Sequence, residues 1–146
     1  MATRQNIWQR KTNYNGEIMT REIVSSWFAK LPEAEKDLVL LIADGYAYTP
    51  RAAHAEVMRG SPLGDKLQRL IETGSFGTTY SDEQTIAKMR LTEIMRTKPD
   101  KPLFATLSGK VFTPTELLQE IQNDTDIGKQ WVNTEISHMH RIVGIR

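Results

Sequence analysis

Glu56 and Glu120 are the two acidic side chains whose placement could support proton chemistry as a pair. They occupy matching positions in two similar stretches of the chain. A fold that brought them together would let one carboxylate raise the pKa of the other. That would leave a general acid beside a general base. The local alternative is stronger: each lies about one turn before a hydroxyl that starts the next helix, Ser61 or Thr125, and can bond backbone groups there. Small-enzyme chemistry through Glu56 and Glu120 therefore ranks last among the readings.

The other chemical raw materials are weaker. The histidines are His54, His138 and His140. On a helix His138 and His140 point about 200° apart, so they cannot share an ion, although Glu135 and His138 can share a face. Two ligands fall short of the three or four that zinc normally takes. The stretch Gly74-Ser75-Phe76-Gly77-Thr78 resembles a phosphate-cradling loop in composition only. It follows a helical pattern, and no G-x-x-x-x-G-K-[ST] sequence occurs anywhere. It reads as a connecting turn. No metal and no cofactor is expected.

Composition narrows the classes further. The chain has 146 residues, 39% hydrophobic and 25% charged, with a formal net charge of +1. A nearly neutral chain has no global pull on nucleic acid or anionic membrane, so any such binding needs a local patch. There is no cysteine, which excludes disulfides and thiolate chemistry and suits a reducing compartment. The longest apolar run, Leu38–Ala43, is far too short for a membrane span. The opening Met1-Ala2-Thr3-Arg4-Gln5 is not a secretory leader. The expectation is a soluble cytoplasmic protein without membrane insertion.

The elements that position these residues show an internal repeat at an offset of 64. One copy, within 44–70, reads Asp44-Gly45-Tyr46-Ala47-Tyr48-Thr49-Pro50, then Glu56-Val57, then Ser61-Pro62-Leu63-Gly64. The other, within 108–134, reads Ser108-Gly109-Lys110-Val111-Phe112-Thr113-Pro114, then Glu120-Ile121, then Thr125-Asp126-Ile127-Gly128. Thr49 and Thr113 are N-caps with proline at N1. Ser61 and Thr125 cap a second helix in each copy. Gly45 and Gly109 read as helix C′ stops. Gly64 and Gly128 fall inside helices, where each costs up to about 1 kcal/mol relative to alanine. A cost repeated in both copies predicts close backbone approach by another helix.

The fold expectation is mainly α: one compact helical domain, 20–146, from two related helix–turn–helix-like halves with pseudo-twofold character. A linker at 74–80 joins them, and a basic arm at 1–19 precedes them. Helices are expected at about 20–30, from Pro32 through Leu38–Ala43, and at 50–59 and 62–73; Leu38–Ala43 also suits a short buried strand, but Pro32 and the glutamates after it favour helix. A further helix, opened by a Ser81–Gln84 capping box, ends near Thr97; the last two cover 114–123 and 126–143. The segment 103–112 is either helical or one short β-hairpin.

Charge and aromatics give the functional expectation. The arm holds Trp8, Arg10, Lys11 and Tyr14, while residues 113–135 carry five acidic side chains against Lys129 alone. Aromatic and arginine side chains are common interface anchors, and segregated charge suits docking or self-association. The chain is expected to be a non-enzymatic protein-interaction or structural subunit of a larger intracellular assembly, as an oligomer or with a protein partner. Trp8, Arg10, Lys11 and Tyr14 are the contact residues. The alternative is a helix–turn–helix-like nucleic-acid binder using Lys66, Arg69, Lys88, Arg90, Arg96 and Lys98.

Overall fold

The computed structural model describes residues 21–143. The chain begins with helix α1 over 21–30 and a one-turn helix α2, Glu33–Lys36. Strands β1, Leu41–Ala43, and β2, Tyr46–Tyr48, form an antiparallel hairpin. Helices α3, Pro50–Arg59, and α4, Pro62–Thr73, follow. Helix α5, Tyr80–Arg96, leads to a second hairpin of β3, Phe104–Ala105, and β4, Val111–Phe112. Helices α6, Pro114–Gln122, and α7, Asp126–Val143, close the order. The result is a compact, mostly α-helical domain carrying two small hairpins. Helix α3 packs on α4 as α6 packs on α7, and α5 lies against both α6 and α7.

Each helix pair is built by the capping chemistry read from the sequence. Thr49 accepts from Ala52 N at 3.1 Å, and Thr113 accepts from Glu116 N at 3.2 Å. Ser61 accepts from Gly64 N at 2.9 Å, and Thr125 from Gly128 N at 3.1 Å. The chain turns between paired helices through left-handed residues in both places: Gly60, φ 72°, and Asp124, φ 54°. A Cβ on Gly64 would run into the Glu56 carbonyl, and one on Gly128 into the Glu120 carbonyl. The expected close approach is present, and the partner is the preceding helix of the same pair.

Three expectations are corrected. Leu38–Ala43 is not a helix: α2 stops at Lys36, and Leu41–Ala43 pairs with Tyr46–Tyr48. Asp44 and Gly45, φ 53° and 82°, form the positive-φ turn that joins the strands, so Gly45 ends no helix. Helix α5 is capped two residues earlier than expected, at Thr79 rather than Ser81. Thr79 accepts from Asp82 N, while Asp82 accepts from Thr79 N at 3.2 Å and Thr78 N at 2.9 Å.

The ambiguous segment 103–112 is the second hairpin. Its turn is one residue longer than the first. Thr106 N donates to Lys110 O and Gly109 N to Thr106 O, with Gly109 at φ 90°, a type I turn closed by a left-handed glycine. Leu40 N donates to Tyr48 O at 2.9 Å, and Leu103 N donates to Phe112 O at 2.9 Å. Before the turns, therefore, Leu40 and Leu41 correspond to Leu103 and Phe104, at an offset of 63. After the turns the offset is 64.

The core gathers Val24, Trp27 and Leu31 from the start of the chain with Leu40, Leu41, Ala53, Val57, Leu67 and Ile71. It continues through Phe76, Ile86, Leu91, Phe112, Leu117, Ile121, Val132 and Met139. One charged group lies inside it. Arg90 has no exposed surface. It donates to Glu135 Oε2 at 2.8 Å, to Val39 O at 3.2 Å and to Glu35 Oε2. His138 Nε2 meets Glu35 Oε1 at 3.0 Å. Each of the three guanidinium nitrogens thus makes a bond that helps hold α2, the entry to β1, α5 and α7 together.

Candidate interaction surface

The two hairpins differ most in how they are covered. In the first, Leu40 and Leu41 are fully buried. The outward-facing amide of Ile42 donates to Phe76 O at 2.7 Å. Phe76 itself is in the core, edge-on to His140 at 4.8 Å. The segment after α4 therefore turns back and lies along β1. That follows from Gly74, φ 68°, which ends α4 and lets Ser75 N reach Leu70 O at 2.9 Å.

Among the described residues no such return occurs in the second half: α7 runs on to Val143, past His138, the counterpart of the Gly74 at which α4 ends. Leu103 is 42% exposed where its counterpart Leu40 is 0% exposed. Leu107 and Val111 also face solvent. Phe104 packs edge-on to Trp131 at 5.4 Å. Beside them a groove of 270 Å³ is lined by Phe104, Gln130, Trp131 and Thr134. Exposed lysines frame this hairpin: Lys98, Lys101 and Lys110. None has a carboxylate partner among the described residues, and Lys110 lies over the Phe112 ring at 5.0 Å. Sequence reading missed this surface, since both hairpins look equally apolar in the sequence. The available signal was that His138-Met139-His140-Arg141 stand where the first half has Gly74-Ser75-Phe76-Gly77.

The sequence-predicted residues distribute unevenly. Trp8, Arg10, Lys11 and Tyr14 lie outside the described residues. Lys66 pairs with Asp44 at 2.7 Å, and Lys88 with Asp124 at 2.7 Å. Arg69, Arg96 and Lys98 are exposed. Arg90 is corrected: a guanidinium with no exposed surface and three protein acceptors has nothing to offer a phosphate.

The structure does not bond Glu56 and Glu120 to one another. Glu56 accepts from Ser61 Oγ at 2.8 Å and Arg59 Nη1 at 2.7 Å. Glu120 uses its main-chain carbonyl, accepting from Thr125 N at 3.2 Å. Both serve the turn within their own helix pair, but neither carboxylate takes the backbone N–H expected of it: that of Glu56 accepts from side chains, and Glu120 acts through its main chain. Glu135 and His138 do share a face, as their spacing implied, and both enter the Arg90–Glu35 network.

His54 stacks on Phe28 with ring centroids 4.6 Å apart, and its Nε2 lies 3.1 Å from Ser25 Oγ. Burial pushes its pKa below the ordinary 6.5. A recess of 530 Å³ between α5 and α7 is lined by Tyr80, Gln84, Lys88, Asp124, Lys129, Val132 and Asn133. Its Lys88 is occupied by Asp124. Among the described residues no group of three or more His, Asp or Glu could hold a metal ion, and no helix is long and apolar enough to cross a membrane.

No protein-family model, curated protein sequence or solved structure matches the chain.

Proposed function

We propose that this chain is a non-enzymatic protein-interaction or structural subunit of a larger cytoplasmic assembly. The observation that carries the reading is the uncovered second hairpin, where Leu103, Leu107 and Val111 remain exposed beside Trp131. Exposed apolar side chains grouped on one element mark an interaction surface better than the same residues scattered singly. The aromatic, basic arm with Trp8, Arg10, Lys11 and Tyr14 supplies a second set of contact residues. The two halves are read as related helix–turn–helix-like units about a pseudo-twofold axis, one half completed by its own linker and the other by a partner.

Nucleic-acid binding is the poorer reading. Arg90 is buried, and Lys66 and Lys88 are already paired with aspartates, leaving few charges to release counterions. The test is native mass spectrometry of the protein isolated gently from its own cells. A stoichiometric protein complex is expected. A monomer carrying nucleic acid, or nothing, would overturn the reading. Deleting residues 1–16 is expected to weaken that complex while leaving the helical signal in circular dichroism intact.

A further inference from the structure

We infer that the β3 edge of the second hairpin receives an extended segment of a partner protein, with an aromatic side chain in the Phe104–Trp131 groove and acidic residues beside it. The inference deepens the interaction reading above and rests on it. The molecule itself supplies the precedent. At the matching edge of the first hairpin, Ile42 N–H donates to the carbonyl of Phe76, and the Phe76 side chain is buried below.

The offset of 63 makes Ala105 the counterpart of Ile42. The alternation of an antiparallel ladder also turns the Ala105 N–H outward: Thr106 N bonds Lys110 O across the hairpin, so its neighbour faces away from β4. Ala105 is exposed, and no acceptor reaches this edge among the described residues. Adding a strand there would follow the general mode in which main-chain bonds give affinity and a side-chain pocket gives specificity.

The groove also matches in position. Its lining residues Gln130 and Thr134 are the counterparts, at an offset of 64, of Lys66 and Leu70, which line the recess beside the first hairpin; Phe76 lies in the core and does not line that recess, so the preference for an aromatic rests on Phe104 and Trp131. Its 270 Å³ is enough for one large side chain. The charge of the partner follows from Lys98, Lys101 and Lys110, exposed and without carboxylate partners among the described residues, against Asp100 as the one acidic residue within 98–112. Asp100 Oδ1 is itself taken by Thr115 N at 3.3 Å. An acidic segment gains on-rate and register from such a rim.

The experiment uses the full chain with a peptide joined to its C-terminus through a Gly/Ser linker. The peptide copies residues 74–78 with two aspartates at each end. Tethering raises its effective concentration to roughly the millimolar range, so weak binding is still seen. Amide and indole NMR shifts are expected at Ala105 and at Trp131. Replacing the peptide's aspartates with lysines is expected to weaken binding several-fold. Ala105→Pro, which removes an outward N–H at an edge position where proline is tolerated, is expected to abolish the shift at Trp131 while the hairpin signals, including those of Phe104, persist.

Absence of shifts at Ala105 and Trp131 in the tethered protein overturns the inference, as does binding indifferent to Ala105→Pro. Equal binding of the lysine peptide overturns the acidic partner, and displacement of the peptide by a short DNA duplex overturns a protein partner. A stoichiometric cellular complex engaged elsewhere would sink this inference alone. A bare cellular monomer would sink the interaction reading itself.

Discussion

Gly128 packs against the main-chain carbonyl of Glu120, as Gly64 packs against that of Glu56. In both pairs the second helix touches the first at backbone distance. Alanine at either site would gain about 1 kcal/mol of helix propensity, but overpacking against backbone costs typically about 1–3 kcal/mol. Because a carbonyl cannot rotate away like a side chain, the second effect wins. Gly64→Ala and Gly128→Ala are each expected to lower stability in urea titration. A variant as stable as the parent would mean that the helices can separate freely at these points.

Arg90 is expected to be more sensitive to losing a partner than to losing its charge. Glu135→Ala leaves a buried guanidinium short of an acceptor, a change that typically costs about 3–5 kcal/mol. The triple replacement R90M/E35Q/E135L removes the charges together and is expected to cost less than Glu135→Ala alone. Denaturant unfolding of the two proteins side by side decides it. A cheaper single variant would mean that water replaces the lost carboxylate.

Acid should loosen the same network. Burial pushes the Glu35 carboxyl up, but hydrogen bonds from His138 and Arg90, with their charges, bring it below its ordinary 4.5. With a folded pKa below the unfolded one, the stabilisation is fully present above 4.5 and is lost as pH falls through the folded value. Glu35→Gln is expected to flatten that part of the stability curve. The exposed carboxylates Glu33, Asp37 and Asp124 are also lowered, first by hydrogen bonds from Lys36, Arg51 and Lys88 respectively. Salt screens those pairs more strongly, so the contribution of Glu35 should persist at high ionic strength.

His54 gives a separate transition nearer neutrality. Burial against Phe28 disfavours its charged form and lowers its pKa below 6.5. The unfolded chain therefore takes up its proton first as pH falls. Stability is complete above 6.5 and declines below it, down to the folded pKa. A His54→Gln variant is expected to lose this decline in thermal melts between about pH 8 and pH 5. An unchanged pH profile would assign the decline to another group.

Local capping chemistry made the helix pairs legible. Thr49-Pro50, Ser61-Pro62, Thr113-Pro114 and Thr125 each declared a helix start through a hydroxyl. The first hairpin was not legible, because the run Leu38–Ala43 is buried on most sides and shows no period. Its strand character is fixed by Asp44-Gly45 and by pairing with Tyr46–Tyr48. Asp124 was missed as a left-handed residue because its counterpart is Gly60 and aspartate reads first as a charge. The polar network was only half visible: Glu135 and His138 announced a shared face, but Glu35 and Arg90 are 55 residues apart. The candidate surface depends on which hairpin the chain returns to cover, a tertiary fact marked in the sequence only by Gly74-Ser75-Phe76-Gly77 against His138-Met139-His140-Arg141.

The buried guanidinium also imposes an order on synthesis. Arg90 needs Glu35, which leaves the ribosome before it, and Glu135, which leaves 45 residues after it. A nascent chain that ends before α7 pairs Arg90 with Glu35 and Val39 O but leaves its Nε–H without the Glu135 acceptor. The packing of α5 in its final surroundings therefore waits for α7, the helix that supplies Glu135.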